Sequence, residues 1–271
     1  MPTVYLQPGS GATGTGTESN PYFQSQISTA ESAAGTDGTV LFTDGEYSNV
    51  TFDAGIKYEA VNPQGAIIGD DTATSITIFT VGLFTNSQTT VWSIKGFKFF
   101  NIRFRMHKNL AGTSNVFSNN TVIITSTVTA TLGNVGLFDS YNAGAGDVEF
   151  HNNSILYRSV SGDSTLSRYI NTFDIQNCTF AFLFADSTTR TWTGGLPSGM
   201  KNCIFSSDTV AAFPSGLTLN TKASNSCFHN CNTDNTASGT NINGDPIFVD
   251  SASGDLRLRP ASPCINAGTA S

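Results

Sequence analysis

The sequence predicts an all-β chain wound as a solenoid: short strands in parallel coils, stacked along one axis, with a short helix over the first coil. Three observations predict it. Only 12% of the 271 residues are charged and 26 are glycine, a composition suited to short strands and turns rather than long helices. No long segment carries a helical apolar period. And one motif recurs six times between Phe99 and Phe228.

The motif is seen in DIQNCTFAF (from Asp174) and GMKNCIFSS (from Gly199). Six segments align on an asparagine: FFNIRF, FSNNTV, FHNNSI, IQNCTF, MKNCIF and ASNSCF, at Asn101, Asn119, Asn152, Asn177, Asn202 and Asn225. The spacings are 18, 33, 25, 25 and 23 residues. Three residues after the Asn stand Phe104, Val122, Ile155, Phe180, Phe205 and Phe228; two before it stand Phe99, Phe117, Phe150, Ile175, Met200 and Ala223. Both columns are wholly apolar. A coil of about 25 residues cannot bury such columns alone, but coils stacked at strand spacing can. The asparagines are expected to form a ladder, amide to amide, and to take the left-handed conformation of a sharp bend. The 33-residue gap leaves room for an inserted loop, TLGNVGLFDSYNAGAG.

Taken in order, the chain opens with a strand at Val4–Leu6 and a Gly/Thr loop. A helix is predicted from Asn20-Pro21 to about Ala34, with Asn20 as N-cap and Gly35 as the stop. It would cover the open edge of the first coil. A strand at Val40–Phe42 and a DGEY turn follow. GSGATG (Gly9 to Gly14) matches a dinucleotide fingerprint only in letters, because no helix starts within it and no βαβ unit follows. The predicted organisation is one domain: 1–48 cap and first coil, 49–243 stacked coils, 244–271 closing segment.

The five cysteines are odd in number and imply no disulfide scaffold. Cys178 and Cys203, each just after a ladder Asn, are expected as buried thiols. Cys227-Phe-His229-Asn-Cys231 lacks a fourth zinc ligand at usual spacing, so a buried thiol and a loop histidine are expected there. Four glycosylation sequons begin at Asn49, Asn119, Asn152 and Asn177; burial in the ladder would conflict with modification of the last three.

Net charge is −7, which argues against nucleic acid as a partner. No apolar run is long enough for a membrane span. Against this acidic background positive charge gathers at Lys95, Lys98, Arg103, Arg105, His107 and Lys108. Alternation from Ile102 puts Arg103, Arg105 and His107 on one strand face. Lys98, Arg103, Arg105, His107 and Lys108 are the candidate docking stripe for an acidic protein surface or an anionic polysaccharide.

The run VYLQPGSG through NPYFQSQISTAESAAGTDGTVLFTDGEYS resembles the N-terminal cap and first coil of right-handed parallel β-helix proteins of the pectate-lyase-like superfamily. GDPIFVDSASGDLRLRPASPCINAG (from Gly244) resembles their closing segment. With the Asn-aligned coils, the resemblance covers essentially the whole chain. It implies an all-β, single-stranded, right-handed parallel β-helix, a fold shared by lyases, hydrolases, tailspikes and structural virion proteins.

Lyases of this kind hold calcium on clustered acids beside an Arg or Lys base; the hydrolases use aspartates on neighbouring coils. Most acids here sit beside glycine, at bends: Asp37, Asp44, Asp70, Asp147, Asp163, Asp245 and Asp255. Asp70-Asp71 is the best adjacent pair, but neighbours on a strand face opposite ways. No acid lies between Asp71 and Asp139. Glu149 with Asp174 remains as a cross-coil pair. No catalytic residue, cofactor or metal is therefore assigned. MPTVYLQPGSG shows no secretory signal, so either one has been removed or the protein does not use that route. The expectation is a phage virion protein assembled in the host cytoplasm, a capsid decoration or cement protein, trimeric by analogy with β-helix virion proteins. Its partners would be itself and the major capsid protein or another virion protein. The alternative is an extracellular carbohydrate-active β-helix: a lyase, a hydrolase or a tailspike-type receptor-binding module.

Overall fold

A computed structural model describes residues 1–48, 50–53, 55–72, 77–81, 91–107, 114–125, 138–141, 147–158, 167–168, 173–183, 197, 199–209, 219, 221–231 and 239–268. At 77–81, 103, 105–107, 114, 138–141, 147 and 167–168 the description is of backbone alone.

The chain is a parallel β-helix. Among the described residues, strands of successive coils pair in parallel to form a ten-stranded, a nine-stranded and a four-stranded sheet. One coil runs Ser93–Lys95 in the ten-stranded sheet, Lys98–Phe100 in the nine-stranded sheet and Ile102–His107 in the four-stranded sheet. The next runs Ser114–Ser118, Thr121–Ile124 and Phe138–Tyr141. The predicted insertion TLGNVGLFDSYNAGAG thus contains a strand of the third sheet, paired Phe138 to Phe104 and Asp139 to Arg105. Its remaining residues, 131–137 and 142–146, lie outside the described residues.

Register explains the core. Tyr58, Ile94, Phe117 and Phe150 follow one another in the ten-stranded sheet, then Ile175. Ile68, Phe99, Val122, Ile155, Phe180, Phe205 and Phe228 do so in the nine-stranded sheet. All are buried. Identical side chains one strand apart stack face to face: Phe180 and Phe205 have centroids 5.0 Å apart at 5°, Phe117 and Phe150 5.2 Å at 10°. Offset stacking adds about 1 kcal/mol per pair to the burial itself.

The cap differs from expectation at its start. Tyr22–Phe23 adds a strand to Thr3–Gln7, a 3-10 turn covers Gln24–Gln26, and helix α1 spans only Ile27–Ala34. Asn20 does not cap the helix; its side chain donates to Thr13 O and Thr15 Oγ1 and ties up the Gly/Thr loop. Local hydrogen bonding by Asn competed successfully with the helix. Gly35, at φ 65°, ends α1 as predicted. Ala30, Glu31 and Ala34 are the buried face of α1.

At the other end the chain leaves the last coil at Ile242–Asn243 and folds back along the outside of the nine-stranded sheet. There it forms an antiparallel hairpin, Phe248–Asp250 with Asp255–Leu258. Leu256 packs on Ile123, Leu156 and Ala181, with Phe100, Leu183 and Phe248 around them. Gly254, at φ 90°, lies so close that a Cβ would sit 2.7 Å from Ile123 Cδ1. A disulfide from Cys227 to Cys264 pins this strap to the last coils. That corrects the expectation of a buried thiol at Cys227: the residue points outward, beside the returning strap, where register places it next to Ile204 rather than in the core. Cys178, Cys203 and Cys231 are free.

Candidate functional site

The six motif asparagines all have positive φ, between 50° and 57°, but they do not form one column. Asn119, Asn152, Asn177, Asn202 and Asn225 turn the chain from the ten-stranded into the nine-stranded sheet. The same place in the preceding coil is held by Gly96, at φ 80°, since Phe99 pairs with Val122. Glycine and asparagine both enter the left-handed region at low cost, so they interchange at a bend. Asn101 lies five residues further on, at the bend into the four-stranded sheet. It is buried, donates through Nδ2 to Asp70 O (2.7 Å) and accepts from Thr125 N (2.9 Å). The odd spacing of 18 is thus a misalignment by one bend; counted from Gly96 the interval is 23, close to the 25, 25 and 23 of the later coils.

The other five stand at one bend but are not buried. Asn119, Asn152 and Asn177 are exposed, so burial does not oppose modification of their sequons. An amide-to-amide bond of the expected ladder joins Asn202 Nδ2 to Asn177 Oδ1 at 3.0 Å. The buried polar ladder belongs to the next residue along. Asn120 Oδ1 accepts from Phe97 N, Asn153 Oδ1 from Asn120 N, and Ser226 Oγ from Cys203 N. Asn120 and Asn153 also donate to the carbonyls of Ile94 and Phe117. Cys178 and Cys203 occupy this same column, fully enclosed. Burial pushes the Cys203 thiol up to about 12 and that of Cys178 well above its usual value.

The docking stripe is divided by the Asn101 bend. Lys98 lies on the nine-stranded sheet, its ammonium 4.9 Å from the Phe100 ring centroid. Arg103, Arg105 and His107 lie on the central pair of the four-stranded sheet, where register sets Arg105 between Thr80 and Asp139, and Asp139 beside Arg168. The side chains of Arg103, Arg105 and His107, and all of Lys108, lie outside the described residues.

Two groups of acids face outward. On the ten-stranded sheet Glu149 and Asp174 are register partners on adjacent coils, as the sequence suggested. Asp174 Oδ2 lies 2.9 Å from His151 Nε2, and Gln176 Nε2 donates to both carboxylate oxygens. This is an acid held by an imidazole and an amide, with a second carboxylate one strand away, a pairing suited to proton transfer or to gripping hydroxyls.

The other group was hidden. Asp70 and Asp71 line one open cleft of about 520 Å³ together with Glu46, Lys98 and Phe100. Read as strand residues they would face opposite ways. The strand in fact ends at Gly69, where φ is 95° and a Cβ would lie 2.1 Å from Phe100 O. Asp70 then starts a turn, accepting through Oδ1 from Thr72 N (2.7 Å) and Thr72 Oγ1 (2.6 Å), which holds its carboxyl below the usual range. The signal was present as Gly-Asp-Asp-Thr, a turn composition. Among the described residues no group of three His, Cys, Asp or Glu side chains is placed to hold a metal ion. No helix among the described residues is long and apolar enough to cross a membrane.

Comparison of the chain with known protein families, with characterised proteins and with solved structures found no match.

Proposed function

We propose that the chain is a structural protein of a phage virion, a capsid decoration or cement protein that docks on the capsid lattice as a trimer, and that it is a β-helix of the pectate-lyase-like kind. The observation that carries the reading is where positive charge falls. Arg103, Arg105 and His107 share one strand of the short third sheet of an otherwise acidic chain. Such a strand suits an acidic partner surface, since opposite charges steer and orient docking. The stacked, end-covered coils suit a mechanical role: α1 covers the first coil and the disulfide-pinned strap braces the outside of the later ones.

Light scattering after gel filtration tests the assembly. A mass near three times 28.6 kDa is expected. Co-sedimentation with purified capsids tests the docking: binding should weaken with salt and with Arg103→Glu and Arg105→Glu combined. A monomer that ignores capsids at low salt would overturn the proposal.

A second reading, a carbohydrate-binding or carbohydrate-cleaving β-helix, is favoured by the cleft beside Lys98. Three carboxylates, an ammonium and an aromatic ring around one opening suit a polyhydroxylated ligand. Depolymerisation of an acidic polysaccharide, lost in Asp70→Asn with Asp71→Asn, would favour this reading over docking.

A further inference from the structure

The C-terminal strap is joined to the coils by one covalent bond and by the packing of a short segment. Its hairpin has strands of three and four residues, too short to be stable alone. Of its buried residues, Pro246, Leu256, Ser262 and Cys264, it is Leu256 that packs into the outer apolar cluster, with Phe248 half-buried beside it. What it covers is substantial: Ile123, Leu156 and Ala181 point outward from three adjacent strands and are at most 2% exposed. The Cys227–Cys264 bond spans 37 residues and closes the strap onto the last coils. It borders an open cavity of about 400 Å³, lined also by Asn202, Asn225 and Asn266, wide enough for a small thiol.

The geometry points to a redox latch: the strap is loose while Cys227 and Cys264 are thiols, and closes over the outer face of the nine-stranded sheet when a small-molecule disulfide oxidises them. Two exchanges balance the reaction. The Cys227 or Cys264 thiolate attacks the small disulfide, releasing one small thiol and leaving a mixed disulfide. The other cysteine, deprotonated, then displaces the second small thiol and forms the Cys227–Cys264 bond. Two protein thiols and one disulfide thus become one protein disulfide and two small thiols.

The other cysteines do not compete. Cys178 and Cys203 border the same cavity but are buried, and burial holds their thiols in the unreactive protonated form. Cys231 is likewise pushed up to about 12 by burial. The latch therefore closes when the protein passes from a reducing compartment to an oxidising one. This holds whether the chain decorates a capsid or binds a glycan.

Trypsin reads the latch directly, because Arg257 lies on the strap with its side chain 81% exposed and is followed by leucine. The intact protein is equilibrated with oxidised or with reduced glutathione and digested briefly, and cutting after Arg257 is followed by mass. A loop-closing disulfide of this span should slow the cut on the order of a hundredfold, since cleavage follows the open population. Cys264→Ser should be cut at the fast rate in either buffer, while re-oxidation of wild type restores the slow rate. Equal rates for oxidised and reduced wild type would overturn the latch. So would alkylation showing both cysteines free after oxidation. Wild type alone decides the matter if the variant fails to fold.

Discussion

Asn152 and Asn153 are neighbours with the same side chain, and the structure gives them opposite roles. Asn153 is 1% exposed; its Oδ1 accepts from Asn120 N at 3.0 Å and its Nδ2 donates to Phe117 O at 2.8 Å. Asn153→Ala leaves a buried N–H without that acceptor, at about 2 kcal/mol, and removes a bond to a carbonyl, at about 1 kcal/mol. The loss is therefore about 3 kcal/mol before any cavity is counted. Asn152 is exposed and contributes through its backbone, at φ 56°. Asn152→Ala should cost about 1 kcal/mol in left-handed strain, and Asn152→Gly a few tenths at most. Urea unfolding of the four proteins, followed by far-UV circular dichroism and compared at equal slope, measures the differences. The reasoning fails if Asn152→Ala costs as much as Asn153→Ala, or if Asn153→Ala costs less than about 1 kcal/mol.

Three further outcomes follow from the same geometry. Phe180→Ala, which opens the stack between Phe150 and Phe205, should cost about 4 kcal/mol in the same assay. Glu31 lies on the buried face of α1, and burial raises its carboxyl despite the hydrogen bond from Tyr58 Oη (2.7 Å). A raised folded value means the neutral acid is favoured, so its contribution is full below the unfolded value near 4.5 and lost as pH rises through the folded value. Glu31→Gln keeps an acceptor for Tyr58 and should raise the melting temperature at pH 7 but not at pH 4; an equal change at both pH values would refute this. Tyr47 shares its single O–H between Leu6 O and Thr43 O, each 2.9 Å away, so Tyr47→Phe should lower stability by about 1–2 kcal/mol in urea melts.

The coil was legible because stacking forces equivalent residues into register, and register writes itself as a period. The apolar columns at Phe117, Phe150 and Ile175, and at Val122, Ile155 and Phe180, needed no structure to find. The first aligned segment misled because a bend asks for a left-handed backbone, not for a particular residue. Gly96 satisfies that as well as asparagine does, while the nearby Asn101 satisfies it at a different bend. An alignment on the letter N therefore slipped. Which of two neighbouring residues is buried follows from the same corner: a left-handed residue there turns its side chain away from the core, and the next residue turns inward.

The candidate sites were less legible, because outward surfaces carry no period. The Asp70–Asp71 cleft depends on one fact of conformation, that the strand stops at Gly69, and residue alternation cannot supply it. The strap left a clearer trace. VII at Val122–Ile124, IL at Ile155–Leu156 and FAF at Phe180–Phe182 are unbroken apolar runs where one-sided strands would alternate. Such runs require cover on both faces, and GDPIFVDSASGDLRL supplies it from the C-terminus. The cover rests on Ile123, Leu156 and Ala181, while Ile67 and Phe100, outward on earlier coils of the same sheet, border the cleft that Lys98 and Asp70 share. The strap thus divides the outer face into a braced half and an open half. Opening the latch would enlarge the open half by three apolar residues in register with Phe100, so any ligand of the cleft with an apolar flank should bind reduced protein differently from oxidised protein. Equal affinity in the two states would confine the latch to a bracing role.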